Sequence, residues 1–139
     1  MGLFSLFKAP KPKPVVIIRN VLGEEIDRVE GVRDLINADL RGRQWPSVDL
    51  SHELLWGANL EGAHLMGARL VHACFYKANL RGVDISYADA WGADFRNADL
   101  VGTSLYRSSV KLARFDGALM DERTDIPERN VTGLMRVVS

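Results

Sequence analysis

A five-residue hydrophobic period runs through most of the chain and is its strongest structural signal. Written in fives from residue 38, the sequence gives 17 units without an insertion or deletion, beginning ADLRG, RQWPS, VDLSH, ELLWG and ANLEG. The middle residue of each unit, position i, is Leu or Phe in 12 of the 17 units. The other middle residues are Trp45, Ile85, Ala90, Val110 and Met120. Because a period of five fits neither a helix nor a single strand, it predicts a repeated backbone that turns a corner every five residues.

The remaining positions of the unit support the same geometry. Position i−2 is Ala in 11 units, position i−1 is Asp or Asn in eight, and position i+2 is Gly in eight. One large and one small inward residue per unit would fill a narrow core. Asp and Asn can hydrogen-bond nearby backbone groups, and Gly accepts unusual φ values, so both suit corners. Coils stacked at about 4.8 Å would satisfy the backbone groups between layers.

Units such as Ala58-Asn59-Leu60, Ala78-Asn79-Leu80 and Ala98-Asp99-Leu100 match the pattern A(D/N)LXX outright. On these units, residues 37–122 resemble the pentapeptide-repeat family. The resemblance implies an all-β fold, a right-handed quadrilateral β-helix with four units per coil. Seventeen units would then make about four coils, or a rod roughly 20 Å long at ordinary strand spacing.

Two units depart from the pattern at the small-residue position. Arg43 and Glu53 stand where Ala or another small residue belongs. A charged group does not fit a tight core, so we expect both side chains to point outward or to be paired. The alternative is that regular coils begin only near Ala58.

The two ends of a solenoid need caps, because unpaired strand edges promote aggregation. Residues 15–36 are predicted to form a β-hairpin cap, with strand-like residues on both sides of the turn Gly23-Glu24. Residues 123–139 leave the repeat and form either a cap or a dimerisation tail. The apolar residues of this tail are Val131, Leu134, Met135, Val137 and Val138.

The first 14 residues form a predicted flexible, Pro- and Lys-rich arm. Residues 8–14 read KAPKPKP, which is typical of an extended, solvated spacer. The arm carries Leu3, Phe4, Leu6 and Phe7 near its tip. These residues are candidates for docking to a partner groove or to a membrane surface, although a terminus without a role remains the alternative.

Composition narrows the function only slightly. Lys plus Arg equals Asp plus Glu, 18 each, whereas a nucleic-acid-binding protein usually has a basic excess. Direct nucleic-acid binding is therefore not expected. No signal peptide or membrane-spanning segment is recognised, and the single Cys74 suits a reducing compartment. These observations favour a cytoplasmic location and leave a component of a virion or other assembly open.

Residues 20 apart should stack on one side of the rod if each coil has 20 residues. This places Trp56, Tyr76 and Arg96 on one face, and Val71 and Trp91 on the next. Exposed aromatic residues are enriched at interfaces, so these five residues are the candidate protein contact. The alternative is that Trp56, Tyr76 and Arg96 stack only on each other and add stability.

Candidate chemical sites are few. His52 and His72 are 20 residues apart and could hold a metal ion, but a third ligand is not evident, so no metal or other cofactor is predicted. Asp84, Asp89 and Asp94 are five apart and should lie on different faces, which argues against a paired-carboxylate hydrolase. Phosphate-binding loops, catalytic triads and HExxH motifs are not found in the sequence. We therefore expect a protein that is not an enzyme.

Two functions follow from this interpretation. The first is a non-catalytic interaction or structural scaffold that presents β-helix faces and a docking arm to a protein partner, with a homodimer through the C-terminal tail as a further option. The second comes from the resemblance, because some pentapeptide-repeat proteins imitate DNA and thereby inhibit or protect a type II topoisomerase. Those proteins are dimeric rods with a strongly negative surface, whereas this chain is charge-balanced.

Overall fold

The computed structural model describes residues 9–127 and the backbone of Arg136–Val137. A β-hairpin comes first, formed by β1 (Val15–Arg19) and β2 (Glu25–Glu30). The two strands pair antiparallel from Val15 with Glu30 to Arg19 with Glu25, with an irregularity at Arg19. Two short parallel strands, β3 (Leu119–Met120) and β4 (Arg136–Val137), pair at the other end. The hairpin and the strand-based repeat confirm the predicted fold class.

Between the hairpin and β3 the chain forms a quadrilateral β-helix. Parallel bridges join i−1 residues that are 20 apart, from Asp39 with Asn59 onward to Asp99 with Leu119. Regular coils therefore begin at residue 39, and the alternative of a start near Ala58 is wrong. Each corner is a turn in which the N–H at i−2 donates to the carbonyl of the preceding position i, as from Ala58 to Leu55 at 3.0 Å.

The backbone hydrogen bonds of a repeat explain its sequence pattern. The N–H at i−1 donates to the coil before it, and those at i and i+2 donate to the coil after it, as Leu60 does to Asn79 at 2.8 Å. The N–H at i+1 has no backbone partner, and the side chain at i−1 accepts its hydrogen bond instead. Asp94 Oδ1 accepts in this way from the Arg96 N–H at 3.1 Å. This confirms the predicted role of Asp and Asn at i−1.

Position i+2 has a positive φ in every unit from Gly42 to Gly117, which is the conformation of the third residue in a type II turn. Glycine adopts it without strain, as Gly57 does at φ 65°. Other side chains are also held there, among them Tyr87 at φ 58° and Leu112 at φ 59°. The stacking of the coils thus imposes a backbone conformation that these residues rarely adopt alone.

The core consists of the predicted positions i−2 and i. A ladder of Phe75, Phe95 and Phe115 occupies one side, with ring centroids 5.2 Å and 5.1 Å apart and nearly parallel planes. Burial of each such ring contributes about 1.5–3 kcal/mol. Thr103 and Ser108 replace Ala late in the repeat, and their hydroxyls donate to carbonyls of the coil before at 2.6 Å. Buried polar atoms in these units are therefore paired.

The hairpin caps the first coil through both backbone and side chains. Ser47 and Asp49 bond to its backbone at Val21 and Arg19, at 2.8 Å and 2.9 Å. Arg43 is half-buried and donates to Asp27 of β2 at 2.8 Å. The other departure from the repeat, Glu53, has an exposed side chain. The prediction that both side chains would point outward or be paired is confirmed, with Arg43 paired and Glu53 exposed.

Two predicted regions lie outside the described residues. These are the docking-arm residues Leu3, Phe4, Leu6 and Phe7, and the tail residues Val131, Leu134, Met135 and Val138. For Val137 only the backbone is described, and it pairs with Met120. The choice between a cap and a dimerisation tail thus stays a prediction. Within the described residues, no helix is long and apolar enough to cross a membrane.

Candidate interaction surface

One side of the rod, which we call the Trp56 face, carries Trp56 and Tyr76 in contact beside the exposed Leu54. Its i+1 residues are Ile36, Trp56, Tyr76, Arg96 and Asp116, stacked in successive coils. The rings of Trp56 and Tyr76 lie 6.1 Å apart and are tilted by 46°. Trp56 remains 49% exposed despite this contact, so mutual stacking leaves half of its surface available to a partner.

A shallow groove of about 380 Å³ runs along the Trp56 face. It is lined by Ile36, Leu54, Trp56, Cys74, Tyr76, Asp94 and Arg96. Leu54 is 55% exposed and stands at a position that holds Asp or Asn in eight of the 17 units. Leu54 and Cys74 were not predicted as site residues. Their signal in the sequence is a Leu and a Cys at i−1 in two units 20 apart, so that no Asp or Asn side chain is available to accept the N–H at i+1.

Because Leu54 and Cys74 stand where other units have Asp or Asn, two backbone N–H groups lose their side-chain acceptor. The N–H groups of Trp56 and Tyr76, both at position i+1, have no hydrogen-bond partner in the described part of the chain. Within the repeats of residues 38–122, other faces have single units of this kind but never two in neighbouring coils. The groove therefore combines exposed apolar side chains with two adjacent free backbone donors.

Two cationic side chains lie close to the ring of Tyr76. Arg96 Cζ is 5.6 Å from the ring centroid and Lys77 Nζ is 5.3 Å from it. Arg96 also binds both carboxylate oxygens of Asp94, at 2.8 Å and 2.6 Å. Burial alone would raise the pKa of Asp94, but the hydrogen bonds from the Arg96 side chain and backbone lower it overall. The pKa of Arg96 is raised by the same contact, so this pair stays ionised.

The structure separates the other two predicted contact residues from this groove. Val71 and Trp91 lie on the neighbouring face, which also carries His52 and His72. Trp91 packs edge-on against His72 with ring centroids 4.6 Å apart. The imidazoles of His52 and His72 are 5.4 Å apart. No group of three potential metal ligands occurs among residues 9–127.

Several arginine and aspartate side chains on the described faces form ion pairs with each other. Arg41 pairs with Asp39, Arg81 with Asp99, and Arg69 with Asp49, at 2.7 Å, 2.8 Å and 3.4 Å. The Arg41 side chain and backbone donate to Asp39 and lower the pKa of its carboxyl to about 2. Four of the Asp residues at i−1, namely Asp39, Asp49, Asp94 and Asp99, are thus each paired with an arginine.

Comparison with known proteins finds one family model and several solved structures that are similar to this chain. The family model for pentapeptide repeats matches eight copies, over residues 47–82 and 78–117. A pentapeptide repeat protein from the Arabidopsis thaliana thylakoid lumen is 27% identical with a TM-score of 0.53, and the match covers 73% of this chain and 61% of that protein. The chain therefore spans less than two thirds of that relative.

Two cyanobacterial pentapeptide repeat proteins are also similar. Rfr23 from Cyanothece 51142 is 26% identical over 64% of each chain, with a TM-score of 0.40. A protein from Nostoc PCC 7120 is 29% identical, with a TM-score of 0.37 over 78% of this chain and 87% of that one. A comparison with curated proteins finds no match. The family match covers more than half of the chain and agrees with the observed coils, so the chain belongs to the pentapeptide-repeat family.

Proposed function

We propose that this protein is a non-catalytic interaction scaffold that binds a protein partner through the Trp56 face, alone or as part of a larger assembly. The observation that carries the proposal is the groove itself, where Trp56 and Leu54 are 49% and 55% exposed. Clustered aromatic residues next to an arginine are typical of binding hot spots. The N-terminal arm is a second candidate contact.

The alternative of a DNA-imitating topoisomerase inhibitor finds no support in the charges. Imitation of DNA requires a regular negative surface, because DNA carries one charge about every 1.7 Å of its axis. The acidic residues described above are paired with arginines instead. We also include a cytoplasmic location in the proposal, since a partly exposed free thiol at Cys74 persists best in a reducing compartment. Fractionation of the source cells tests the location.

A pull-down from a lysate of the source organism tests the proposed contact. The baits are the full chain, a chain without residues 1–14, and the variant Trp56→Ala/Tyr76→Ala. The matched control is Tyr87→Ala/Tyr106→Ala, which removes two other exposed rings that lie 5.9 Å apart on another face. We expect the Trp56→Ala/Tyr76→Ala bait alone to lose a partner that the control keeps.

Two other outcomes of the pull-down would contradict the proposed contact. Loss only on removal of residues 1–14 would move the contact to the arm and overturn the assignment to the Trp56 face. Equal retention by all four baits would overturn the assignment of the contact to the Trp56 face and would exclude the arm as well. Circular dichroism of each bait ensures that a loss of binding is not a loss of fold.

A further inference from the structure

The two free backbone donors of the groove point to the chemistry of its ligand. In eight of the 17 units an Asp or Asn oxygen at i−1 accepts the i+1 N–H, as Asp49 does from Ser51 at 3.0 Å. Leu54 and Cys74 offer no such acceptor oxygen in two successive coils of the Trp56 face. Equivalent positions of one repeat share one backbone geometry, so the N–H groups of Trp56 and Tyr76 are directed to the space between the i−1 and i+1 side chains, which is the groove.

Substitution by Asp at these positions would satisfy the donors, and the sequence uses Asp or Asn in eight other units. Two neighbouring departures from a local rule, together with exposed apolar side chains, are expected at functional sites rather than at structural ones. In the unbound protein the open groove lets water reach the N–H groups. A ligand must offer acceptors in their place, or the contact would lose affinity.

The positive charges beside the groove favour a negatively charged acceptor in the ligand. Lys77 has no ion pair in the described part of the chain and lies over one side of Tyr76, while Arg96 lies over the ring as well. Asp94 is bound by Arg96, which reduces its repulsion of an anion. A carboxylate can accept from both N–H groups and also meets the field of Lys77.

We propose that the groove of the Trp56 face binds an acidic residue flanked by apolar residues in a peptide segment of a partner protein. Its carboxylate takes the place that the Asp side chain has in other repeats, and its apolar neighbours cover Ile36 and Leu54. The groove is open along the rod, which suits an extended chain better than a small molecule, since small-molecule sites enclose most of their ligand. This inference rests on the proposed function and specifies its partner.

The N-terminal arm is the competing occupant, because Leu3, Phe4, Leu6 and Phe7 are apolar. Its Lys8, however, and the two further lysines of the spacer bring positive charge to a groove that already has Lys77 and Arg96. The arm also contains no Asp or Glu within residues 1–14. Charge complementarity therefore favours an acidic segment from another protein.

The test uses the full chain and two peptides that differ only in charge, acetyl-Phe-Asp-Leu-amide and acetyl-Phe-Asn-Leu-amide. Titration into the ¹⁵N-labelled protein is followed through the amide signals of Trp56 and Tyr76. Hydrogen bonds to a charged group are worth more than those to a neutral one, so we expect the Asp peptide to bind roughly 10-fold more tightly. Since Cys74 is the one cysteine of the chain, slower alkylation of its thiol gives a second readout.

The decisive variant is Leu54→Asp/Cys74→Asp, which supplies the missing acceptors from the chain itself. We expect it to fold and to lose at least about 10-fold in affinity for the Asp peptide. The matched control is Gln44→Asp/Ser109→Asp, which adds two carboxylates at the same repeat position on other faces and should bind like the natural chain. The control separates occupation of the groove from a general effect of negative charge.

Three results would overturn the proposal. Equal binding of the Asn peptide would show that the groove does not select a charged acceptor, and the scaffold function would still stand. Undiminished binding by Leu54→Asp/Cys74→Asp would place the carboxylate elsewhere. Binding only after removal of residues 1–8, with shifted Trp56 and Tyr76 signals in the truncated chain, would identify the arm as the occupant.

Discussion

Asp27 connects the hairpin to the first coil, and its replacement by alanine should cost about 1–4 kcal/mol of folding free energy. The Trp45 side chain is 1% exposed, and its Nε1–H donates to Asp27 Oδ2 at 2.7 Å. A buried donor without a partner costs about 1–3 kcal/mol. The same oxygen accepts from Arg43 Nη1 at 2.8 Å, where the two side chains are 34% and 26% exposed. An ion pair at such exposure adds about 1 kcal/mol or less.

Arg43→Ala is the informative comparison, because it breaks the ion pair and leaves the Trp45 hydrogen bond intact. It also restores the alanine that 11 of the 17 units have at this position. We therefore expect a loss of about 1 kcal/mol or less for Arg43→Ala, smaller than that for Asp27→Ala. Guanidinium chloride unfolding followed by circular dichroism, on both single variants and the double variant, measures the two values and their coupling. Equal losses for the two single variants would refute the claim that the indole hydrogen bond dominates.

Three further predictions concern pH, backbone strain and the core. The pKa of Asp27 is lowered, because the hydrogen bonds from Trp45, the Arg28 backbone and Arg43 outweigh the effect of burial. Its stabilising contribution should be complete above about pH 4 and decline as pH falls further, so unfolding midpoints of the natural chain and Asp27→Asn should converge at low pH. Leu112→Gly should stabilise the protein by up to about 1 kcal/mol in thermal unfolding, since it relieves a φ of 59° at an exposed side chain. Phe95→Ala should cost about 3–5 kcal/mol in denaturant unfolding, because it removes the middle ring of the core ladder.

The solenoid could be predicted because its determinants are local and repeated. A large residue at i and a small one at i−2 decide which side chains face the core, and Leu60 and Ala58 show the pattern with complete burial. Asp or Asn at i−1 satisfies a donor only two residues away, as Asn79 does for Arg81. Each unit therefore carries its own geometry, and a long unbroken frame fixes the fold.

The cap contacts could not be predicted in the same way. Asp27 meets Trp45 and Arg43 only because the hairpin is docked on the first coil, through contacts 18 and 16 residues apart that follow no repeat. The sequence shows that Arg43 is out of place, but it does not identify the partner. Such contacts depend on how one element packs on another, for which a single sequence has no periodic signal.

The candidate site could be predicted from the sequence only in part. The positions of Trp56 and Tyr76 on one face followed from the 20-residue coil, and the structure places them in contact. Trp91 was grouped with them from its aromatic character, yet it packs on His72 around the corner of the rod. Leu54 and Cys74 were overlooked because a departure at i−1 leaves the core unchanged and is visible only through the hydrogen bond that it removes.

The missing hydrogen bond from the i+1 N–H to a side chain at i−1 is the reason to interpret the Trp56 face as a binding surface. In a repeat protein each coil interacts mainly with its neighbours, so an exposed i−1 position can change without disturbing the core. Asp at Leu54 or Cys74 would supply an acceptor for a free N–H and replace apolar surface by polar surface. Stability and solubility both favour Asp at these positions, whereas the chain has leucine and cysteine in adjacent coils beside an exposed tryptophan. A partner that covers the apolar side chains and supplies the missing acceptors accounts for both departures together, whereas stacking of the two rings accounts for neither.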